Sequence, residues 1–342
     1  MNKGSKENEE SAKGQKRTFF APDYVKDFRC KTGACRNACC SGWPVTVSLE
    51  EYLRLIGIEC SPSLREKLDR AAYVLDHPTP HEYARLNHRW DGDCVLRAAD
   101  GLCALHAELG EGVLPEVCRL YPRGVRLAPE GPEISCSNSC EGVTELLWER
   151  NAPLSFGEIE LDVIPPEDCQ KLKTPRAQRM KRIEAPEEGS AAGEPTDYLN
   201  RITGEKKPVF HRLKLLRLLD DLSTHSVSLG DALGDAARTI LDSKDPDGRL
   251  EELKEGFREK YGDREGFFCA LLTNHVFFTG VGADGGDTLL SLAGADALAR
   301  LICETVPEKR PADLCAALYR LIDHTDWSGY APALLKKTLA DL

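Results

Sequence analysis

The chain has 342 residues, enough to bury one large core or two ordinary ones, so its stability does not depend on disulfides. Its 56 acidic against 45 basic side chains give a net charge of −11, which opposes attraction to phosphate backbones and anionic lipid and argues against nucleic-acid or membrane partners. The opening MNKGSKENEESAKGQKR has no apolar stretch that would serve as a secretory signal, and no later apolar run approaches the ~18 residues of a membrane span, so the expected location is cytoplasmic.

Residues 1–17, rich in Lys, Glu, Ser and Gly, read as a disordered tail too polar to offset the entropy of ordering it. Residues 18–164 read as a cysteine-rich module of short helices between irregular segments. Ser48 and Glu51 have capping-box spacing ahead of Tyr52, Leu53, Leu55 and Ile56, and Ser63 and Glu66 repeat it ahead of Leu68, Ala72 and Leu75. Pro115 suits the first turn of a short helix through Leu120, and Cys140 opens a helical pattern through Trp148, where the positive helix end favours a thiolate.

Residues 165–207, dominated by Pro, Gly, Lys, Arg and Glu, read as a linker. From 208 to 342 apolar residues recur at helical spacing: Phe210, Leu213, Leu216 and Leu219, then Leu253 and Phe257, then Phe267, Leu271, Leu272 and Val276. Segments Asp287–Glu304, Pro311–His324 and Gly329–Leu342 continue the pattern. The predicted fold is mainly α, an irregular Cys-rich N-terminal module with short helices followed by a C-terminal helical bundle. Gly280-Val-Gly282-Ala-Asp-Gly285 fits G-x-G-x-x-G, but with no βαβ unit around it a loop between helices is predicted.

Of 14 cysteines, ten precede residue 150, whereas Cys169, Cys269, Cys303 and Cys315 are scattered, so the first group is the one that reads as a site. In a reducing compartment such a density points to metal or catalysis rather than disulfides. The densest part is Cys30-x4-Cys35-x3-Cys39-Cys40, in which Gly33 permits a tight turn whose amides can donate to sulfur. Consecutive side chains diverge, so one of Cys39 and Cys40 is free to ligate elsewhere.

Zinc sites usually show two separated short-spaced cysteine pairs, whereas C-x4-C closely followed by another cysteine partly matches plant-type iron–sulfur spacing, here with x3 in place of x2. Cys94 and Cys103 flank two Asp-Gly turns, and with Cys118 and Cys140 they bring sulfur from four further places. A soft thiolate set suits an iron–sulfur cluster, zinc, or a metal-free thiol cluster, and the spacing favours the first. His106 is a weaker candidate ligand, Cys60 fits a buried thiol beside an apolar helix, and Cys136 is ambiguous.

Taken in order, Cys30-x4-Cys35-x3-Cys39-Cys40-x2-Trp43, the Cys94…Gly101-Leu-Cys103 segment, Cys118-Arg-Leu-Tyr121-Pro-Arg123 and Ser139-Cys140 resemble the flagellin lysine-N-methylase family, within a wider group of zinc- or iron-chelating cysteine-cluster proteins. The resemblance covers residues 19–150 and extends more loosely to Asn274-His-Val-Phe-Phe and Arg320-Leu-Ile-Asp-His324. It implies methyl transfer from S-adenosylmethionine to lysine side chains of flagellin by a protein holding a [4Fe–4S] cluster. The candidate metal ligands it implies are Cys30, Cys35, Cys39, Cys40, Cys94, Cys103, Cys118 and Cys140. Four thiolates suffice for one cluster, so the surplus implies a second metal site or other duties.

Tyr121 and Arg123 are candidates for contact with cofactor or substrate, with pairing of Arg123 to a carboxylate or to the thiolates as the alternative. Trp43 reads as a packing residue. Methyl transfer needs a neutral amine, so the target lysine must lose a proton. Neither a base for that step nor a pocket for S-adenosylmethionine is assigned by the sequence. The rival reading is a non-enzymatic zinc or iron–sulfur module that supports a partner-binding bundle or carries electrons.

Overall fold

Alternating burial in RTFFAP, with Phe19 and Ala21 inside, makes a strand of the segment that follows the charged N-terminus. The computed structural model describes residues 16–36, 38–166, 169–183, 208–224, 227–280, 286–323, 325 and 327–339. Strand β1 (Arg17–Pro22) pairs from Arg17 onward with β7, so the strand takes in the last residue of the expected tail, of which residues 1–15 lie outside the described residues.

The next elements are short: β2 (Thr46–Val47), α1 (Leu49–Gly57), α2 (Pro62–Leu68), β3 (Ala72–Val74), β4 (Ala84–Leu86), α3 (Ala104–Leu109) and α4 (Glu116–Leu120). Helix α1 starts as expected: the Glu51 amide donates to Ser48 Oγ at 3.2 Å, and the Ser48 amide donates to Glu51 Oε2 at 2.8 Å. Helix α2 starts two residues before the predicted box. Pro62 is preorganised for a first helical position, which makes Ser61 the cap, its hydroxyl accepting from the Leu64 amide at 3.2 Å.

Then come β5 (Arg123–Ala128), β6 (Gly131–Cys136), α5 (Glu141–Arg150), β7 (Phe156–Leu161), β8 (Gln170–Lys171) and α6 (Arg176–Ile183). The last two lie inside the expected linker, of which 184–207 fall outside the described residues. The C-terminal helices are α7 (Arg212–Ser223), α8 (Val227–Leu241), α9 (Pro246–Tyr261), α10 (Glu265–Thr279), α11 (Gly286–Thr305), α12 (Pro311–Asp323) and α13 (Trp327–Leu335). Gly280 ends α10 in a left-handed conformation, and positions 281–285 of the glycine motif lie outside the described residues.

The fold is mainly α, but it contains sheets that the sequence reading did not anticipate. A mixed sheet has the order β7-β1-β6-β5-β8, with β1 antiparallel to β7 and parallel to β6, and a smaller antiparallel sheet has the order β2-β4-β3. The β5–β6 hairpin, in register from Arg123 opposite Cys136 to Ala128 opposite Gly131, escaped detection because charged residues interrupt its apolar alternation. Arg126 and Glu133 are buried there, and Glu133 Oε1 accepts from Arg176 Nε at 2.9 Å and from Arg179 at 2.6 Å.

Three hydrophobic clusters result among the described residues, the least of them around Met180, Leu272 and Phe277. Of the other two, the larger joins Phe19, Tyr24, Ile134 and Leu147 to Leu216, Phe267, Leu298, Tyr319 and Leu335, so residues from either side of 165–207 share it. The smaller holds Val47, Leu55, Leu64, Leu86, Leu96 and Leu105 beside Cys40, Cys94, Cys103 and Cys118.

Since Glu133 is the anion for two arginines at the sheet, Glu133→Ala strands buried guanidinium charge. It is expected to cost about 3–5 kcal/mol of unfolding free energy, read from the urea midpoint. A midpoint within error of the parent would refute that role.

Candidate metal centre

The first cysteine loop is shaped by backbone contacts with the second. Thr32 takes a positive φ of 54°, and its amide points at Cys30 Sγ, 3.3 Å away. Gly33 is needed for close approach and not, as the spacing suggested, for the turn itself: a Cβ there would meet the Asp100 carbonyl oxygen at 2.6 Å. Facing it, Gly101 has φ +82°, and a Cβ on it would meet the Gly33 carbonyl oxygen at 2.7 Å. The Cys30–Cys35 and Cys94–Cys103 loops thus meet glycine to glycine.

Further along, the Cys94 amide donates to the Cys40 carbonyl at 2.7 Å, and the Gly42 amide donates to the Gly92 carbonyl at 3.0 Å. The Arg97 amide closes a turn on the Cys94 carbonyl at 2.9 Å, and Arg97 forms a bridge with Cys103, the residue that precedes α3. Cys118 sits on α4 and packs on the same small core as Cys40, Cys94 and Cys103. Burial raises the Cys118 thiol well above its ordinary value, and negative charge at Cys103 and Cys94 would push it the same way. Burial likewise raises Cys94.

Cys140 caps α5 and has a different neighbourhood. Burial pushes its thiol up to about 12 against the pull of the Val143 and Gly142 amides, and Cys35 and Cys39 add to the rise. The expected lowering by the helix terminus is therefore present but outweighed. Cys35 is pushed up to about 11, by burial first and then by the charge of Glu141, with smaller contributions from Cys30 and Cys39. Between the two neighbourhoods stand Cys39 and Cys40, their sulfurs 3.9 Å apart. Cys39 is the more acidic of the pair, because a hydrogen bond with Cys40 favours its thiolate and because the charges of Arg320 and Arg97 reach it.

No three cysteine sulfurs among the described residues lie within 4.8 Å of one another. One tetrahedral zinc with bonds of ~2.3 Å would need its sulfurs about 3.8 Å apart, so these positions do not fit a single bare ion. An iron–sulfur cluster takes its thiolates on separate irons and spreads them further, and the chemistry of this soft, all-thiol donor set is compatible with one.

Charged clasps hold the loops in place. Arg320 of α12 is buried and donates to the carbonyls of Ala38 at 3.0 Å, Ser41 at 3.2 Å and Ser139 at 3.4 Å. Lys31 reaches Glu145 at 2.7 Å, the Arg36 amide donates to Glu141 at 2.8 Å, and the Arg36 guanidinium pairs with Asp313 at 2.8 Å. The Glu141, Glu145 and Asp313 carboxylates lie close enough to hold a cation. Lys31, Arg36 and Arg310 already neutralise them, so the trio is a fastening of the loop to α5 and α12.

Trp43 packs as expected, its ring 5.9 Å from that of Tyr121 and its Nε1 donating to the Cys39 carbonyl at 2.6 Å. Arg123 lies over the Phe28 ring at 5.5 Å, and its charge opposes the burial that pushes the Cys136 thiol up to about 12. His106 is exposed on α3, and Cys60 packs on the small core. Cys303 and Cys315 approach to 3.5 Å inside the larger core, away from the loops.

Spacing gave no sign of a buried polar line that ends at these loops. His275 Nδ1 on α10 is 3.7 Å from Asp323 Oδ1 on α12, and Asp323 Oδ2 accepts from Ser137 Oγ. Ser137 Oγ meets Ser139 Oγ at 2.5 Å, and Ser139 Oγ meets the Tyr121 hydroxyl at 3.1 Å. The segments containing 275 and 323 belong to the loose C-terminal part of the resemblance, but nothing in a linear pattern joins residues of two different helices.

Over 141 residues the chain is 23% identical to the flagellar biosynthetic protein FliU of Salmonella muenchen, covering 41% of this chain and 83% of that protein. It is 24% identical over 149 residues to a lysine-N-methylase of Salmonella choleraesuis and 25% identical over 141 residues to one of Salmonella typhimurium. The chain is distantly similar to proteins named lysine-N-methylase. Each alignment takes in 41% of this chain and 35% of the methylase, so the chain spans about a third of those relatives. No family model and no solved structure matches it.

Burial moves Asp323 up to about 6 and His275 down to about 4. From ordinary values of about 3.9 and 6.5, the two act in opposite directions. Asp323 adds stability at low pH that is lost as pH rises through about 6, whereas His275 adds stability above its ordinary value that is lost as pH falls through about 4. In the parent these two contributions therefore largely cancel across this window, and each variant is compared with the parent at the same pH. His275→Gln should gain stability on acidification and Asp323→Asn should lose it, each by about 2–3 kcal/mol for a shift of roughly two units, measured by urea unfolding at stepped pH. Parallel slopes in the two variants would refute the assignment.

Proposed function

We propose that this protein is a protein-lysine methyltransferase that uses S-adenosylmethionine to methylate lysines of flagellin or a comparable filament protein, with a [4Fe–4S] cluster held by its cysteine loops. The reading is carried by the similarity to lysine-N-methylases, together with the convergence of the loops that bear eight candidate thiolates. The similarity to a flagellar biosynthetic protein supports the choice of filament substrate. A net charge of −11 suits a lysine-bearing substrate surface.

In the transfer, the lysine nitrogen forms a bond to the methyl carbon as the carbon–sulfur bond of the sulfonium breaks, leaving S-adenosylhomocysteine. One proton leaves the ammonium beforehand to free the lone pair, and a second leaves the methylated nitrogen when the neutral amine is regenerated. A cluster bound by four thiolates drawn from Cys30, Cys35, Cys39, Cys40, Cys94, Cys103, Cys118 and Cys140 would supply a redox-active inorganic centre that ties the loops together. The chain's own groups orient that region: Arg320 fixes the backbone on either side of Cys39 and Cys40, and Trp43, packed against Tyr121, donates to the Cys39 carbonyl.

The test is incubation of anaerobically purified, iron-loaded protein with S-adenosylmethionine and flagellin, followed by mass spectrometry of the flagellin. Lysine peptides heavier by one or more methyl groups are expected. Unmodified flagellin from fully loaded protein would replace this reading with that of a metal-binding module without enzymatic activity.

A further inference from the structure

We infer that the vicinal pair Cys39–Cys40 divides the eight cysteines between two separate metal centres, an inner one held by Cys40, Cys94, Cys103 and Cys118 and an outer one held by Cys30, Cys35, Cys39 and Cys140. The inference rests on the reading of the loops as metal-binding and does not depend on methyl transfer.

The inner four share a structural unit. The Cys94 amide is bonded to the Cys40 carbonyl, Arg97 links Cys94 to Cys103 by a turn and a bridge, and Cys118 joins them on the small hydrophobic core. Cys94 is buried and the other three are partly so. This set is enclosed by α3, α4 and the short strands.

The outer four belong to the junction of the first loop with α5. Cys140 precedes Glu141, and Glu141 binds both Lys31 and the Arg36 amide, the neighbours in sequence of Cys30 and Cys35. Cys30 and Cys39 are exposed here, so the outer set opens to solvent. Cys140 packs on the larger core and not on the smaller one.

The vicinal pair stands where the two units meet. Its sulfurs are 3.9 Å apart, closer than two thiolates on different irons of one cluster would stand, and Arg320 pins the backbone on both sides of the pair. Assigning one sulfur to each side gives four thiolates per side, a full complement for one cluster twice over. The surplus of cysteines over a single site is thereby accounted for, and the two sites differ in exposure. A reactant that reaches the surface would meet the outer centre first.

The full chain should be reconstituted anaerobically with ferrous iron and sulfide, and iron and acid-labile sulfide counted per chain. Two [4Fe–4S] clusters require about eight of each. Cys103→Ser/Cys118→Ser and Cys35→Ser/Cys140→Ser should each retain half the parent's content, and their visible and paramagnetic-resonance spectra should sum to that of the parent. Because Cys103 and Cys118 also pack on the small core, the parent count and the outer variant decide the matter alone. One cluster per parent chain, or an outer variant that keeps all or none of the iron while its circular dichroism is unchanged, would overturn the inference. Two zinc ions per parent chain, one lost from the outer variant, would keep two centres and end the iron assignment. A fully loaded protein that leaves flagellin unmethylated would sink the methyltransferase reading and leave this one standing.

Discussion

A guanidinium removed from water must find acceptors, and Arg320 finds them in the backbone of the cysteine loops. Its donors take the carbonyls of Ala38, Ser41 and Ser139, so one side chain of α12 ties the loop bearing Cys39 and Cys40 to the turn bearing Cys140. Both loops are irregular, and irregular backbone buried against a bundle needs partners for its carbonyls. The bundle therefore does more than sit beside the cysteine loops: it supplies donors that let them keep their shape.

A second layer of charge works at the rim. Lys31, Arg36 and Arg310 meet Glu141, Glu145 and Asp313 across the first loop, α5 and α12, with the carboxylates buried or half-buried and Arg36 and Arg310 exposed. Exposed pairs of this kind contribute little singly, but a shared network has fewer ways to come apart. Together with the Gly33–Gly101 contact it fixes how the first loop lies on the second.

The sequence made some of this legible and concealed the rest for identifiable reasons. Helices α7 and α9–α13 showed through apolar spacing, and the Ser48–Glu51 box located α1 to the residue. The five-stranded sheet did not show, because Arg126 and Glu133 break the alternation of β5 and β6 and make hydrogen bonds with distant parts of the chain, Glu133 with arginines of α6 and Arg126 with a carbonyl of α10. Sulfur density marked the loops, whereas the contacts that sort one sulfur from another are backbone hydrogen bonds, which residue identity does not encode. Gly33 illustrates the difference. Its type was informative, but the neighbour that requires it is Asp100 and not its own turn.

The His275–Asp323 line adds a constraint that neither loops nor bundle would impose alone. Buried polar groups are tolerated when each has a partner, and here the chain of partners runs from α10 through α12 and the Ser137–Ser139 turn to Tyr121. Ser139 then occupies two roles, with its hydroxyl in this line and its carbonyl on Arg320. A shift of α12 would disturb both at once, and with them the turn that presents Cys140. Thiols held up by burial, as Cys35, Cys94, Cys118 and Cys140 are, ligate metal only by giving up a proton in a low-dielectric setting. A scaffold that fixes their backbone beforehand would leave a bound cation to supply charge compensation rather than loop ordering, so the rigidity contributed by α12 and any affinity of these thiols for metal would be coupled through the same few residues.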